Sequence, residues 1–335
     1  MSSDSPKTNI EVVLGTMTFG APRENALTNA RVTDLRDVSD ILDEFQKHGH
    51  SKVDTAALYC DGTSEEYLGE LNWAQRGLDV HTKLYPIRGI NHTAEGIREY
   101  YGRSLKSLKA DKLDLFYLHG PDRNTPWEVT FKACDDLHKE GKFNKLGLSN
   151  YAAWEVAEIV MLCRANGWIQ PTVYQGLYNA IHRGVEAELI PCIRRFGLSF
   201  YGYSPLAGGF FTGRYANREG GVESGSRFDL NSGSAISSTF RARYWNDQYF
   251  RALEIVNEAA KKHNLTLPEI AMRWETHHSV LKREFGDAII IGGSSLKNIR
   301  ENLVDLEKGP LPADVVEAVD EAWGVVSGNV AKYFH

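Results

Sequence analysis

Eight short apolar runs recur along this chain, nearly all of them followed directly by a stretch of helical periodicity, and this alternation constrains the fold more than any other feature. The runs at Val12–Leu14, Lys52–Asp54, Val80–Leu84, Leu113–Leu118, Lys145–Leu148, Thr172–Tyr174, Phe200–Tyr203 and Ala288–Ile291 read as strands. Helices are predicted over 37–48, 64–71, 93–108, 127–140, 152–165, 186–196, 249–263 and 296–303. Eight β–α repeats close a barrel better than they fill an open sheet. The expected fold is therefore an α/β (β/α)8 barrel forming a single domain over 1–335, with a long loop after strand seven and a C-terminal tail over the active site. The competing doubly wound sheet calls for GxGxxG after the first strand, but Gly15 and Gly20 stand too far apart to supply it.

Local signals fix some boundaries. Thr63 or Ser64, with Glu66 in the following turn, and Thr93, with Glu95, are predicted to start helices. Gly141 and Gly197 are predicted to stop two others. The stretch 205–240 is rich in Gly and Ser, and a loop of that length leaving a strand end is well placed to fold over a ligand.

Composition narrows the function classes. Apolar residues make up 42% and charged residues 24% of the 335, as in ordinary globular proteins, and a net charge of −6 argues against a nucleic-acid partner. No apolar run reaches the roughly 18 to 20 residues that cross a bilayer, and the first nine residues lack a secretory core, so a cytoplasmic protein without a membrane partner is expected. Cys60, Cys134, Cys163 and Cys192 show no CxxC spacing, so neither a metal site nor a disulfide framework is expected. GxxxxGK[ST], HExxH and GxSxG are absent, which removes the main sequence support for phosphoryl transfer, zinc hydrolysis and serine acylation.

Polar residues close almost every predicted strand: Asp54, Lys83, His119, Ser149, Gln175, Tyr203 and Ser294. In a barrel these positions share the catalytic face. Asp54, Lys83 and His119, with Tyr59 five residues beyond Asp54, make up a set suited to carbonyl reduction. Tyr59 would give a proton, Lys83 would favour the phenolate left behind, Asp54 would keep the lysine charged, and His119 would polarise the carbonyl. Each residue alone has an ordinary structural reading, such as an ion pair for Lys83 and Asp54 or a packing ring for Tyr59. Together at strand ends they point to chemistry. A Schiff-base role for Lys83 would need a lysine free of Asp54.

The ordered segments Leu14-Gly15-Thr16-Met17-Thr18-Phe19-Gly20, Val53-Asp54-Thr55-Ala56, His81-Thr82-Lys83, Leu115-Phe116-Tyr117-Leu118-His119, Gly147-Leu148-Ser149-Asn150-Tyr151, Gln175-Gly176-Leu177-Tyr178-Asn179 and Tyr203-Ser204-Pro205-Leu206-Ala207-Gly208-Gly209 resemble the aldo-keto reductases, most closely their aflatoxin-aldehyde reductase branch. The resemblance implies NADPH/NADP+ as cofactor, a small-molecule carbonyl substrate, a homodimer, and Tyr59, Asp54, Lys83 and His119 as the catalytic tetrad. It places Ser149, Asn150 and Gln175 on the carboxamide, Tyr203 against the nicotinamide, and Ser204, Pro205, Leu206, Gly208, Gly213 and Arg214 along the pyrophosphate, with Thr16 and Met17 also at the cofactor. Gly293, Ser294, Asn298, Glu301 and Asn302 resemble the site for adenosine and its 2′-phosphate, where Lys297 or Arg300 can add charge.

For the substrate, the resemblance and the predicted loops point to Tyr59, His119, Tyr85, Arg227 and Trp245, with Met17, Tyr333 and Phe334 on the pocket wall. Two departures stand out. The branch typically ends Tyr-Phe-Arg, whereas this chain ends Tyr333-Phe334-His335, and Ser204 stands where mammalian members carry asparagine. Potassium-channel β-subunits share these motifs, so nucleotide sensing with slow turnover is the alternative function.

Overall fold

A computed structural model describes residues 7–23, 26–215, 217–232, 234 and 236–335. The strands are β1 (Glu11–Gly15), β2 (Lys52–Asp54), β3 (Asp79–Leu84), β4 (Leu113–Leu118), β5 (Phe143–Ser149), β6 (Pro171–Leu177), β7 (Ser199–Tyr203) and β8 (Ala288–Ile291). They pair in sequence order, all parallel, and β8 returns to β1 with Val13 opposite Ile290, so the sheet closes on itself. The helices are α1 (Leu35–Lys47), α2 (Thr63–Glu70), α3 (Ala94–Ser107), α4 (Trp127–Lys139), α5 (Ala153–Asn166), α6 (Leu189–Phe196), α7 (Ile236–Tyr244), α8 (Asp247–Lys262), α9 (Leu267–His277), α10 (Leu296–Leu306) and α11 (Ala313–Val326). This is the (β/α)8 barrel that the alternation predicts.

Two apolar layers hold it. Inside the barrel, Val13, Leu115, Tyr117, Val173, Tyr201, Ala288 and Ile290 pack together, while the larger layer lies between strands and helices. Strand alternation decides which side chains go where, because successive residues face opposite sides.

Three helices go beyond the predicted set. α9 begins at a Thr266 cap whose hydroxyl accepts from the amide of Glu269, with Pro268 in the first turn. α7 closes the Gly- and Ser-rich stretch, which also winds a 3-10 turn at Ala207–Thr212, so the long loop is partly ordered. α11 packs on α8. One cap also differs from expectation. Gly62, at φ 91°, caps α2, because Thr63 donates to the carbonyl of Cys60 (2.8 Å) and Ser64 to that of Thr16 (3.0 Å). Thr93 caps α3 as predicted, accepting from Gly96 at 3.1 Å, and Gly197 ends α6 at φ 78°.

Candidate active site

Adjacent strands bring the first polar residues together. Asp54 ends β2 and lies opposite His81 of β3, two residues before Lys83, while Lys83 lies opposite Tyr117 of β4, two residues before His119. Register alone therefore gathers Asp54, Lys83 and His119 at one rim. Tyr59 reaches them from a tight 3-10 turn (Tyr59–Gly62) in which Cys60 and Asp61 have φ of 48° and 56°. Left-handed backbone at two successive non-glycine residues is costly and persists only where the surroundings impose it. Here the amide of Cys60 donates to Thr28 Oγ1 at 2.7 Å, which pins the turn from the β1–α1 segment.

Lys83 is fully buried. Its Nζ donates to Asp54 Oδ2 at 2.5 Å and to the carbonyl of Thr55 at 2.8 Å, and it lies 4.9 Å from the centre of the Tyr59 ring. The other carboxylate oxygen of Asp54 accepts from Gln175 Nε2 at 2.8 Å. Thr16 stands behind, its hydroxyl bonding the carbonyl of Asp54 at 3.1 Å and sharing a 2.8 Å hydrogen bond with Ser64. A buried lysine with these partners is held as a cation, although burial still draws its pKa down against the pull of Asp54. With Asp54 as its ion-pair partner, Lys83 lacks the free amine that Schiff-base chemistry requires.

Two other groups meet this pair. The Tyr59 ring stands edge-on to His119 with centroids 5.9 Å apart, and Tyr85 does the same at 5.5 Å. Burial, then the charge of Asp54, pushes the Tyr59 phenol well above its ordinary value. Burial, then Lys83, pushes the His119 imidazole well below its own. At neutral pH the phenol therefore keeps its proton and the imidazole is uncharged. The lowering of the phenol expected from Lys83 does not emerge: burial and Asp54 raise it, and the cation that draws it down is Arg227.

These groups open into a cavity of about 1040 Å³, at the upper end of the roughly 300–1,000 Å³ usual for small-molecule sites. Its wall carries Met17, Asp54, Tyr59, Tyr85, His119, Asn150, Gln175, Tyr203, Ser204, Pro205, Leu206, Gly208, Arg214, Arg227, Gly293, Ser294, Asn298, Glu301 and Asn302, all of them named from sequence. Asn150, at φ 64°, ties the rim together: its amide donates to the carbonyl of His119 (2.7 Å) and to Ser149 Oγ (3.1 Å), and its oxygen accepts from Tyr203 at 3.3 Å. A side chain at Gly208 would run into the Phe240 ring, so the close approach of loop and helix there requires glycine.

Other named residues stand off the wall. Thr16, Lys83 and Ser149 lie behind it, and Gly213 ends the 3-10 turn at φ 76°. Trp245 is not brought to the cavity. Its ring packs among Tyr215, Phe228 and Phe250, and its indole donates to the carbonyl of Arg218 at 3.0 Å. An aromatic next to the site in sequence is here a core residue of the loop.

Sequence reasoning also missed wall residues. Arg243, at the end of α7, lines the cavity with a buried Nε that has no hydrogen-bond partner among the described residues. Arg31, Thr28 and Leu27 come from the β1–α1 segment, and Glu269, Asp305 and Lys308 form the far end. The Arg241-Ala242-Arg243 run was the only available signal for the first, and it reads as a solvated helix face. The chain's last residue, His335, also enters the wall: its amide donates to the carbonyl of Asn150 (3.2 Å), and its ring lies 6.2 Å from that of Tyr85. Among the described residues, no group of three His, Cys, Asp or Glu is arranged to hold a metal.

Comparison with known proteins agrees with this geometry. Residues 11–324 match the aldo/keto reductase family. An aldo-keto reductase of Pseudocercospora fijiensis (strain CIRAD86) is 48% identical over 298 residues, spanning 88% of this chain and all of that protein. Aflatoxin B1 aldehyde reductase member 2 of Mus musculus is 45% identical over 332 residues, 96% of this chain and 87% of its own. Aflatoxin B1 aldehyde reductase member 4 of Homo sapiens is 42% identical across the full length of both. With a closed eight-stranded barrel, a polar cluster at its rim and a match over nearly its whole length, the chain belongs to the aldo/keto reductase family of oxidoreductases.

Proposed function

We propose that residues 1–335 act as one barrel domain that reduces aldehydes and ketones to alcohols with NADPH. The observation that carries this reading is the meeting of a protonated phenol, a neutral imidazole and a buried Lys–Asp pair at one end of a cavity that extends to the N-terminus of α10. The donor set fits the cofactor. Ser294 and Asn298 face the far end, 3.2 Å from each other, beside a helix start capped by Ser295, which suits a phosphate. Ser149 and Asn150 offer polar groups to a carboxamide, Gln175 keeps its carbonyl oxygen as an acceptor while its amide holds Asp54, and the Tyr203 ring offers a stacking face.

The bound dinucleotide supplies the hydride. Tyr59 donates its phenolic proton to the carbonyl oxygen as that oxygen gains charge, so hydride at carbon and proton at oxygen together make the alcohol. Neutral His119 donates a hydrogen bond to the same oxygen and orients it. Lys83, held by Asp54 and Thr55, stabilises the phenolate until it recovers a proton from solvent. Tyr85, Arg227 and His335 form the substrate end. The names of the similar mammalian reductases favour bulky aldehydes, and Arg227 with Arg243 suits an anionic group on the substrate. The same resemblance supports a homodimer, which light scattering of the purified protein checks.

The direct test follows NADPH absorbance with a panel of aromatic and aliphatic aldehydes and ketones, including succinic semialdehyde, in wild type and Tyr59→Phe with an NADH control. Rapid consumption that is lost in Tyr59→Phe supports the reading. Tight NADPH binding without turnover points instead to nucleotide sensing.

A further inference from the structure

Charge at the far end of the cavity is almost wholly neutralised from within the protein. Lys308 is held by Glu269 and Asp305 at 3.0 and 2.8 Å, and Lys297 lies 3.7 Å from Glu301. Ser294 and Asn298, which face this end, carry no charge. Arg300, on α10 and on the same wall, is a further cation, and it too has an anion. Its Nε and Nη2 donate to the two carboxylate oxygens of Glu44 on α1, at 2.9 and 3.1 Å.

The two partners differ in freedom. Glu44 is only 8% exposed, whereas the Arg300 side chain is 53% exposed. Glu44 also lies 3.6 Å from His48 Nε2, and the opposite ring nitrogen of His48 meets Glu307 at 2.7 Å, so the carboxylate packs beside an anchored ring. The arginine is thus the movable member of the pair. A guanidinium has five N–H donors in a planar fork, and the edge that Glu44 occupies is one that would otherwise meet a phosphate bidentately.

We infer that Glu44 is a specificity-determining residue that competes with the cofactor's 2′-phosphate for Arg300, and so limits how strongly the protein prefers NADPH over NADH. The inference rests on the NADPH reading given above. With Glu44 in place, a phosphate beside Ser294 and Asn298 meets only the unoccupied N–H groups of a guanidinium whose charge is already offset. Without that carboxylate the whole fork is free to turn to the phosphate. Glu44 acts through Arg300 and touches no part of the ligand.

The test is equilibrium binding of NADPH and of NADH, read by calorimetry on the full-length protein, for wild type, Glu44→Gln, Arg300→Gln and the double variant. Glu44→Gln tightens NADPH by about two- to fivefold, the range that one partly exposed charge pair accounts for, and leaves NADH unchanged. Arg300→Gln weakens NADPH only, and the double variant matches Arg300→Gln, because Glu44 has no route except Arg300. Glu44→Ala carries the same expectation should the amide variant fold poorly. NADPH binding that is unchanged or weaker in both Glu44 variants, while Arg300→Gln still weakens it, overturns the inference and spares the phosphate site. A wild type that binds NADPH no tighter than NADH overturns the phosphate reading itself, and the role of Glu44 with it.

Discussion

In the proposed reduction, two opposing influences ready Tyr59 to act as the acid. Burial keeps its proton on, and the Lys83 ammonium 4.9 Å from its ring stands ready for the charge that departure of the proton creates. Removing the hydroxyl in Tyr59→Phe leaves the fold and the cofactor cavity intact, so kcat falls by about 10²–10⁴ while NADPH affinity, measured by titration, stays near wild type. A second residue shows the same physics without a chemical role. Glu275 on α9 is fully buried, neither carboxylate oxygen has a hydrogen-bond partner among the described residues, and burial raises its pKa well above 4.5. The folded state therefore holds a proton that the unfolded chain releases as pH rises past that ordinary value, and the stability this group contributes is lost in the same direction. Glu275→Gln, which cannot ionise, is expected to raise the melting temperature relative to wild type more at pH 8 than at pH 4. Equal shifts at both values would show that the carboxyl is already ionised in the fold.

Among the elements, the long segment between β7 and α7 is tied to the β1–α1 segment by the bonds of Arg31 to the carbonyl of Gly225 and of Ser234 to that of Leu27, both 3.0 Å, and by one carboxylate that bridges two arginines. Glu223 accepts from Arg31 of the β1–α1 segment at 3.0 Å and from Arg214 at 2.5 Å, and both arginines line the cavity. These pairs are partly exposed and add at most about 1 kcal/mol each to global stability. Their larger effect is local. Glu223→Gln is expected to speed NADPH release in stopped-flow measurements with little change in melting temperature, and an unchanged release rate would mean the loop is held elsewhere. Sequence legibility differed by element for physical reasons. β2, β4 and β8 were readable to the residue, and in β8 the apolar run Ala288–Ile291 is unbroken. β5 and β6 run longer than the predicted 145–148 and 172–174, and each carries a glycine, Gly147 and Gly176. In the barrel those glycines are packing devices, since a Cβ at Gly147 would strike the Tyr117 ring and one at Gly176 the Phe200 ring. α7 was hidden by the Ser-rich composition around it, and α9 was missed although Thr266, Pro268 and Glu269 mark its start.

At the scale of the whole molecule, closure of the barrel makes the site. Asp54, His119, Asn150, Gln175 and Tyr203 come from five strand ends spread over some 150 positions of sequence, and only parallel closure with this register turns them toward one cavity, with Lys83 directly behind its wall. The proximity of the four residues proposed as a tetrad was legible because three of them, Asp54, Lys83 and His119, sit at or next to strand ends, which are local features. The tail that carries His335 was expected over the site, but the rest of the substrate end was not legible, because it depends on where the segment carrying Arg243 folds back and on the inward turn of Trp245. The most direct test of the account is the fate of a label: NADPH carrying deuterium on the transferable position of the nicotinamide is incubated with an aromatic aldehyde, and the alcohol is analysed by mass spectrometry. The account predicts one deuterium on the former carbonyl carbon with wild type, and formation of that product slowed by about 10²-fold or more in Tyr59→Phe. An unlabelled alcohol, or a Tyr59→Phe variant that forms the labelled product as fast as wild type, would contradict it.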